Sequence, residues 1–339
     1  MKLLVSILFL IAFTACVKDQ PSPDSTSGST TPTSSVKDSL VYVVCEGNYG
    51  SSNAAVSLFN PSNGDVVENY YRQQNGIGPG DVAQSLTKID GLWYLVMNNS
   101  AQVIICDSTF KKVGAITGLK SPRYLCKVGS DLLYISDLYD NCIVIASLQN
   151  HTVIGKIPLR DWSEQIIPCG NQLFVGCPSQ SYVYVVDTRN NKITDSVFVG
   201  KNLRGMALNK KSELITLSYS TNQIQKIKFT NTNNLQTIFE RDEKTTNMFS
   251  SLTLNRTADT IYLLGKGVSR MDIDQRVIQT VFSNANSNYY GIGCSPNNLI
   301  YIADAHDYSQ RSTITVMKTD GTLLTTFKAG VNANSFAFN

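Results

Sequence analysis

Short apolar runs alternate with polar positions along most of this chain, and one three-residue centre of such a run recurs seven times. The copies are Val41-Tyr42-Val43, Trp93-Tyr94-Leu95, Leu133-Tyr134-Ile135, Leu173-Phe174-Val175, Leu214-Ile215-Thr216, Ile261-Tyr262-Leu263 and Ile300-Tyr301-Ile302. From one central residue to the next the steps are 52, 40, 40, 41, 47 and 39 residues, and six of the seven central residues are aromatic. Each copy is followed by a second alternating run, such as Val183-Tyr184-Val185-Val186-Asp187, and then by turn residues such as Asn60-Pro61-Ser62-Asn63-Gly64. A third run follows (Val113 to Ile116, Val153 to Ile157), and after a polar loop a fourth (Met206-Ala207-Leu208, Ile292-Gly293-Cys294). Four short strands per period of about forty residues, with no sustained helical period, predict an all-β fold, a seven-bladed β-propeller of four-stranded blades.

The same count predicts how the ring closes. The chain enters at the second strand of a blade, near Leu40 to Val44, and ends with a lone run, Ser335-Phe336-Ala337-Phe338. That run has the pattern of the innermost strands and would otherwise be a bare apolar edge, which folded proteins avoid. The C-terminal strand is therefore expected to complete the first blade.

The N-terminal segment points to a compartment. Leu3 to Ala15 is an apolar stretch behind Lys2, too short for a membrane-spanning helix and of signal-peptide length. It ends Phe13-Thr14-Ala15-Cys16, which resembles a bacterial lipobox with Phe13 in place of the usual leucine. Residues 21 to 35 hold thirteen Ser, Thr or Pro in fifteen, a composition that cannot bury enough apolar surface to fold. The expected organisation is a signal peptide over 1–15, a lipidated Cys16 with its tether over 16–37, and the propeller over 38–339.

Seven of the eight cysteines lie beyond Cys16, scattered through apolar runs, as expected of small buried hydrophobes. No CxxC pair or Cys/His cluster has metal-ligand spacing, so no metal is assigned. Without Lys2, 28 basic side chains face 26 acidic ones, and no basic run or arm suggests a nucleic-acid partner.

In a propeller, the loops joining second to third strands and those leading into the innermost strands emerge on one face, around the central channel. This is the face where ligands are expected. Aligning the innermost strands puts Gln84, Arg123, Glu164, Arg204, Ser250, Tyr290 and Asn334 at equivalent positions, one per blade, as a polar ring at the channel mouth. The loops add Tyr49, Asn99, Tyr139, Trp162, Tyr219 and Tyr308. Aromatic, amide and hydroxyl groups suit a broad, amide-rich ligand held by stacking and hydrogen bonds. The inventory is poorly equipped for catalysis, and no enzymatic activity or cofactor is assigned. His151 falls in a turn on the opposite face and reads as a solvated turn residue. His306 lies on the ligand face with no spaced acid or nucleophile beside it in the sequence. Asp304 and Asp307 are too few for a calcium site and read as a solvated acidic loop.

Glu46-Gly47-Asn48-Tyr49-Gly50, Gly80-Asp81-Val82-Ala83-Gln84-Ser85, Asn98-Asn99-Ser100, Ser121-Pro122-Arg123-Tyr124, Ser136-Asp137-Leu138-Tyr139 and Trp162-Ser163-Glu164-Gln165 resemble a family of Bacteroidetes surface lipoproteins with YncE-like or surface-layer propellers. Within it they are most similar to cobalamin-capturing lipoproteins that sit over the TonB-dependent vitamin B12 transporter. The resemblance is strongest over residues 40 to 185 and weakest in blade five, where Ile215 replaces the aromatic residue. It implies a lipid-anchored outer-membrane protein facing outward, with a cobalamin or related corrinoid as transported ligand and the transporter as partner. In that setting Asn, Gln, Ser and Tyr groups would pair with the corrin amides. Trp162 and the tyrosines would pack on apolar edges, and Arg123 or Arg204 would face the phosphate. Two other classes stay open: a structural or adhesive propeller that binds glycan or protein, and a propeller lactonase or lyase.

Overall fold

The computed structural model describes residues 39–220, 224–244 and 248–339. Cys16, the signal segment and the tether lie outside the described residues. Seven four-stranded antiparallel sheets make up the fold. Their innermost strands are Ala333–Phe338, Ala83–Ile89, Pro122–Val128, Ile166–Cys169, Gly205–Leu208, Ser251–Leu254 and Tyr289–Cys294, for blades 1 to 7 in turn. These strands touch one another in an unbroken cycle, with blade 7 meeting blade 1. The seven-bladed propeller expected from the period is the observed architecture.

The repeated aromatic residue has a physical role that explains the period. It stands within the second strand, and in blades 1 to 4 it reaches the turn between third and fourth strands of the following blade. Tyr42 stacks on Phe110 with ring centroids 5.2 Å apart and planes 14° apart. Tyr94 bonds to His151, hydroxyl to Nε2, at 3.1 Å. Tyr134 donates to Asn191, and Phe174 shares a core cluster with Leu235. Phe110, His151, Asn191 and Leu235 all have positive φ, between 55° and 66°. In blades 2 to 5 the tight turn thus offers one side chain to the aromatic residue of the blade before. An aromatic contact of this kind stabilises by about 0.5–1.5 kcal/mol beyond area burial. His151 is therefore half-buried against Tyr94 rather than simply solvated, and burial lowers its pKa.

The two long steps also have causes. The first, of 52 residues, contains a segment with a short helix, Tyr70–Asn75. That helix pads the gap between blades 1 and 2: Asn75 Nδ2 donates to the carbonyl of Phe110 at 2.9 Å, and Tyr71 is buried. The step of 47 falls in blade 5, whose second to fourth strands (Glu213–Ser220, Ile224–Asn231, Thr237–Lys244) have eight residues each.

Closure follows the expected register. Val41 pairs with Phe338 and Val43 with Phe336, so the C-terminal strand is the innermost strand of blade 1. Blade 7 makes room for it with glycines. A Cβ on Gly293 would stand 2.8 Å from Phe336 Cβ, and one on Gly291 would stand 2.9 Å from the Asn334 carbonyl oxygen. Phe336 then packs against Tyr301 at 5.8 Å between centroids.

The seven cysteines in the described residues are free, and all but Cys169 are buried. Burial pushes the thiols of Cys45, Cys106, Cys142, Cys177 and Cys294 up to about 12, which keeps them protonated and inert.

Candidate functional site

The seven aligned positions do stand one per blade at the channel mouth, and their backbone shows why. In four blades the ring residue sits in an irregularity of the innermost strand, where the register skips Gln84, Arg123 with Tyr124, Tyr290, and Asn334. A bulge frees a residue from the ladder and re-aims its side chain. In the other three blades the ring residue precedes the strand and is tied by its N–H to the second strand of its blade. Glu164 donates to Gly176, Arg204 to Leu217 and Ser250 to Leu264, at 2.9, 2.7 and 2.7 Å.

Five side chains at the ring form two linked groups rather than a set of exposed donors. Arg123 Nε donates to Glu164 Oε2 at 2.8 Å, and both side chains are buried. Tyr290 donates its hydroxyl proton to Glu46 Oε2 at 2.8 Å, while Asn334 Nδ2 donates to Glu46 Oε1 at 2.8 Å. Burial raises the pKa of Glu164; Arg123 opposes that rise and Glu46 adds to it. Glu46 belongs to blade 1 and Glu164 to blade 4. Gln84 is buried beside them, and its amide has no protein partner among the described residues. A buried amide left without a partner is costly, so an ordered water or a ligand group belongs there.

The ring is braced by amide clamps. Gln165 Nε2 donates to the Met206 carbonyl at 2.9 Å while Met206 N–H donates to Gln165 Oε1 at 2.8 Å, tying blade 4 to blade 5. Gln225 holds Phe249 in the same way across blades 5 and 6, at 2.7 and 2.6 Å. Gln165→Leu is expected to strand two buried backbone groups and lower stability by about 1–3 kcal/mol for each, read as a drop in the denaturant midpoint with an unchanged slope.

Above this floor stand the loop residues. Tyr49 and Tyr139 are 77 % and 69 % exposed, and Tyr308 is 46 % exposed, packed edge-on against Tyr290 at 5.6 Å. The Tyr49 and Tyr308 loops are joined by Asn48 Nδ2, which donates to the Tyr308 carbonyl at 2.7 Å. Arg204 lies 5.7 Å from the centre of the Tyr219 ring, and both are half-buried. Trp162 is half-buried, and exposed Asn99 donates to Asp81. The twelve residues read from the sequence thus divide into a buried set (Gln84, Arg123, Glu164, Asn334), a half-buried set (Trp162, Arg204, Tyr219, Tyr290) and an exposed set (Tyr49, Asn99, Tyr139, Tyr308).

Three features escaped the sequence reading. Glu46 joins the ring although it follows the second strand of blade 1, Val41–Cys45, and precedes a loop glycine. Tyr182 and Phe198 form an exposed pair on blade 4, 5.5 Å apart, hidden in the sequence because both sit inside strand runs. His306 has both an acid and a hydroxyl beside it, contrary to the linear spacing. Asp304 and Asp307 are engaged locally, Asp304 by the N–H groups of Asn288 and His306 and Asp307 by Ser309 and Gln310, whose bonds pull its pKa down. Among the described residues no group of three or more His, Cys, Asp or Glu is placed to hold a metal ion.

Two concavities lie off the channel axis. One, of about 360 Å³, is lined by Arg241, Glu243, Phe249, Lys266 and Phe282 between blades 5 and 6. The other, of about 230 Å³, lies between the Tyr49 loop and the helix segment, lined by Asn53, Asn69, Arg72 and Pro79. Neither gathers buried polar groups from several blades, and the ring with its tyrosine rim does. Site chemistry therefore favours the mouth.

Fold and mouth together define a seven-bladed propeller with a polar, aromatic-rimmed axial face. The chain belongs to the family described as Domain of unknown function (DUF5074), which matches residues 40–334. Among curated proteins none matches it. Solved structures of similar fold include a quinoprotein alcohol dehydrogenase-like protein from Bacteroides thetaiotaomicron, 13 % identical, covering 89 % of this chain and 78 % of that one with a TM-score of 0.69. A periplasmic gluconolactonase from Pseudomonas aeruginosa is 12 % identical, with 88 % and 99 % covered and a TM-score of 0.67. A functionally unknown protein from Desulfotomaculum acetoxidans is 12 % identical, with 89 % and 98 % covered and a TM-score of 0.69. At these identities the likeness is one of fold, and it includes enzymes.

Proposed function

We propose that this protein captures a corrinoid on the axial face and delivers it to a TonB-dependent outer-membrane transporter. The observation that supports this most is the arrangement of exposed Tyr49, Tyr139 and Tyr308 on the loops of blades 1, 3 and 7 around a floor of amide, hydroxyl and carboxylate groups. A corrin ring is wide and flat, apolar at its faces and fringed with primary amides, so aromatic rims and amide floors are complementary to it. The Gln84 amide, buried and without a protein partner among the described residues, is the floor group left to a water or a ligand. Arg204, half-buried against Tyr219 on the blade 5 loop, is the cation assigned to the nucleotide phosphate. Blade loops fixed by hydrogen bonds lose little entropy on binding, so many modest contacts sum to tight capture. Titration of the purified protein with cyanocobalamin, followed by corrin absorbance, tests the reading: saturable binding supports it, and no spectral change at any concentration contradicts it.

The delivery role rests on the segment ending at Cys16. A lipid chain anchors through its buried CH₂ groups and the propeller does not. Cys16→Ser is therefore expected to move the protein from the membrane fraction to the soluble fraction with an unchanged melting temperature. Sedimentation of the variant with membranes would refute the anchor.

A further inference from the structure

On the outer part of blade 7, three adjacent strands set an acid, a hydroxyl and an ammonium group side by side. Asp304 ends the second strand, Thr313 is its cross-strand partner on the third, and Lys328 is the partner of Thr313 on the outermost strand. His306, two residues beyond Asp304, turns back over them with φ of 52°, a left-handed conformation that few non-glycine residues adopt.

The distances form a chain. Asp304 Oδ1 accepts the backbone N–H groups of Asn288 and His306 at 3.0 and 2.9 Å, which fixes the carboxylate. Its Oδ2 faces His306 Nδ1 at 3.6 Å. His306 Nε2 lies 2.9 Å from Thr313 Oγ1 and 3.5 Å from Lys328 Nζ, which donates to the Thr313 oxygen at 2.7 Å. The imidazole is 30 % exposed, Thr313 is half-buried and Lys328 is exposed, so the cluster stands at the surface of the blade.

We propose that this cluster is an acyl-transfer site for small carboxylic esters, with Thr313 as nucleophile. An acid, an imidazole and a hydroxyl in this order are the parts such chemistry needs. Thr313 Oγ1 bonds to the ester carbonyl carbon while its proton passes to His306 Nε2. The Lys328 ammonium, beside the attacking oxygen, stabilises the negative charge that grows on the carbonyl oxygen. The C–O bond to the alcohol then breaks, and the alcohol leaves with the proton held by His306. A water molecule next gives its proton to His306 and attacks the acyl-threonine. The carboxylic acid departs as Thr313 recovers its proton. Asp304 is a positioning residue: it holds the imidazole with Nε2 toward the hydroxyl. The site adjoins the Tyr308 loop, since Asn288 donates to the His306 carbonyl and accepts from the Tyr308 hydroxyl, and it is tested by its own chemistry.

The purified full-length protein is treated with an alkyl fluorophosphonate, which forms an Oγ–P bond, releases fluoride and passes the hydroxyl proton to His306. Peptide mapping then locates the adduct, and p-nitrophenyl acetate is assayed in parallel. The expected result is an adduct on Thr313 that forms about 100-fold more slowly in His306→Gln, the lower range of general-base effects. Thr313→Ala should lose both adduct and ester cleavage, and Thr313→Ser should keep both. Asp304→Ala should slow labelling, with partial rescue by Asp304→Glu. The proposal is overturned by an absence of adduct on Thr313 in the folded wild-type protein, or by labelling that is equally fast in His306→Gln.

Discussion

Removal of residues 332–339 is expected to abolish the cooperative unfolding transition. The deleted segment contains the innermost strand of blade 1, Ala333–Phe338, which also touches the innermost strands of blades 2 and 7. Its loss leaves the Val41–Cys45 strand with an open edge and uncovers the cluster of Val41, Val43, Tyr301 and Ile314. It also strands Glu46, which would keep its bond from Tyr290 but lose the one from Asn334. Truncating one core phenylalanine costs about 3–5 kcal/mol, and a whole domain is stable by only about 5–15 kcal/mol. Deletion of the strand therefore exceeds the margin. Circular dichroism should show a broad, non-cooperative melt, while Phe336→Ala alone should keep a sharp transition at a lower temperature. A sharp melt at the wild-type temperature after deletion would mean that the ring does not depend on this latch.

Arg123→Ala is expected to destabilise the protein by about 3–5 kcal/mol at neutral pH, because it leaves Glu164 as an uncompensated buried charge. The pH dependence has a definite sign. Burial raises the folded-state pKa of Glu164 above its ordinary value of 4.5, so the folded protein holds that proton over a window in which the unfolded chain has lost it. Stability falls as pH rises through that window. Removing Arg123 takes away the main opposing influence and extends the window upward. The deficit of the variant should thus be largest at neutral pH and shrink toward and below the ordinary carboxylate value, where Glu164 is protonated in both states. Replacing both partners, Arg123→Leu with Glu164→Leu, should recover most of the loss. Denaturant midpoints for the variants across pH check this; a deficit that does not change with pH would remove Glu164 from the explanation.

The fold was legible because its determinants are local and repeated. A second strand centred on Tyr94 or Tyr134 announces both an alternating strand and the aromatic contact that joins it to the next blade. The surplus run at Phe336 and Phe338 announced closure for the same reason, since an apolar strand without a partner has to find one. The ring positions were also legible, because innermost strands align by spacing. Their environment was not. Nothing in the linear order shows that Arg123 meets Glu164, or that Glu46 receives bonds from Tyr290 and Asn334, residues 244 and 288 positions away. Those contacts depend on bulges and on ring closure, which turn residues expected at an exposed mouth into a buried floor. His306 was misread for a related reason: Thr313 and Lys328 reach it through strand register, across hairpins that sequence distance conceals.

In the proposed function, the axial face with its tyrosine rim binds a corrinoid. The direct measurement is an equilibrium titration of cyanocobalamin into the wild-type protein, Tyr49→Ala, Tyr139→Ala and a control altered on the opposite face, His151→Ala. Each exposed rim tyrosine is expected to contribute about 1–2 kcal/mol, so its loss should weaken binding roughly five- to thirty-fold without moving the melting temperature. His151→Ala should bind as the wild type does. Absence of binding by the wild-type protein, or equal losses from the rim and from His151, would contradict the account.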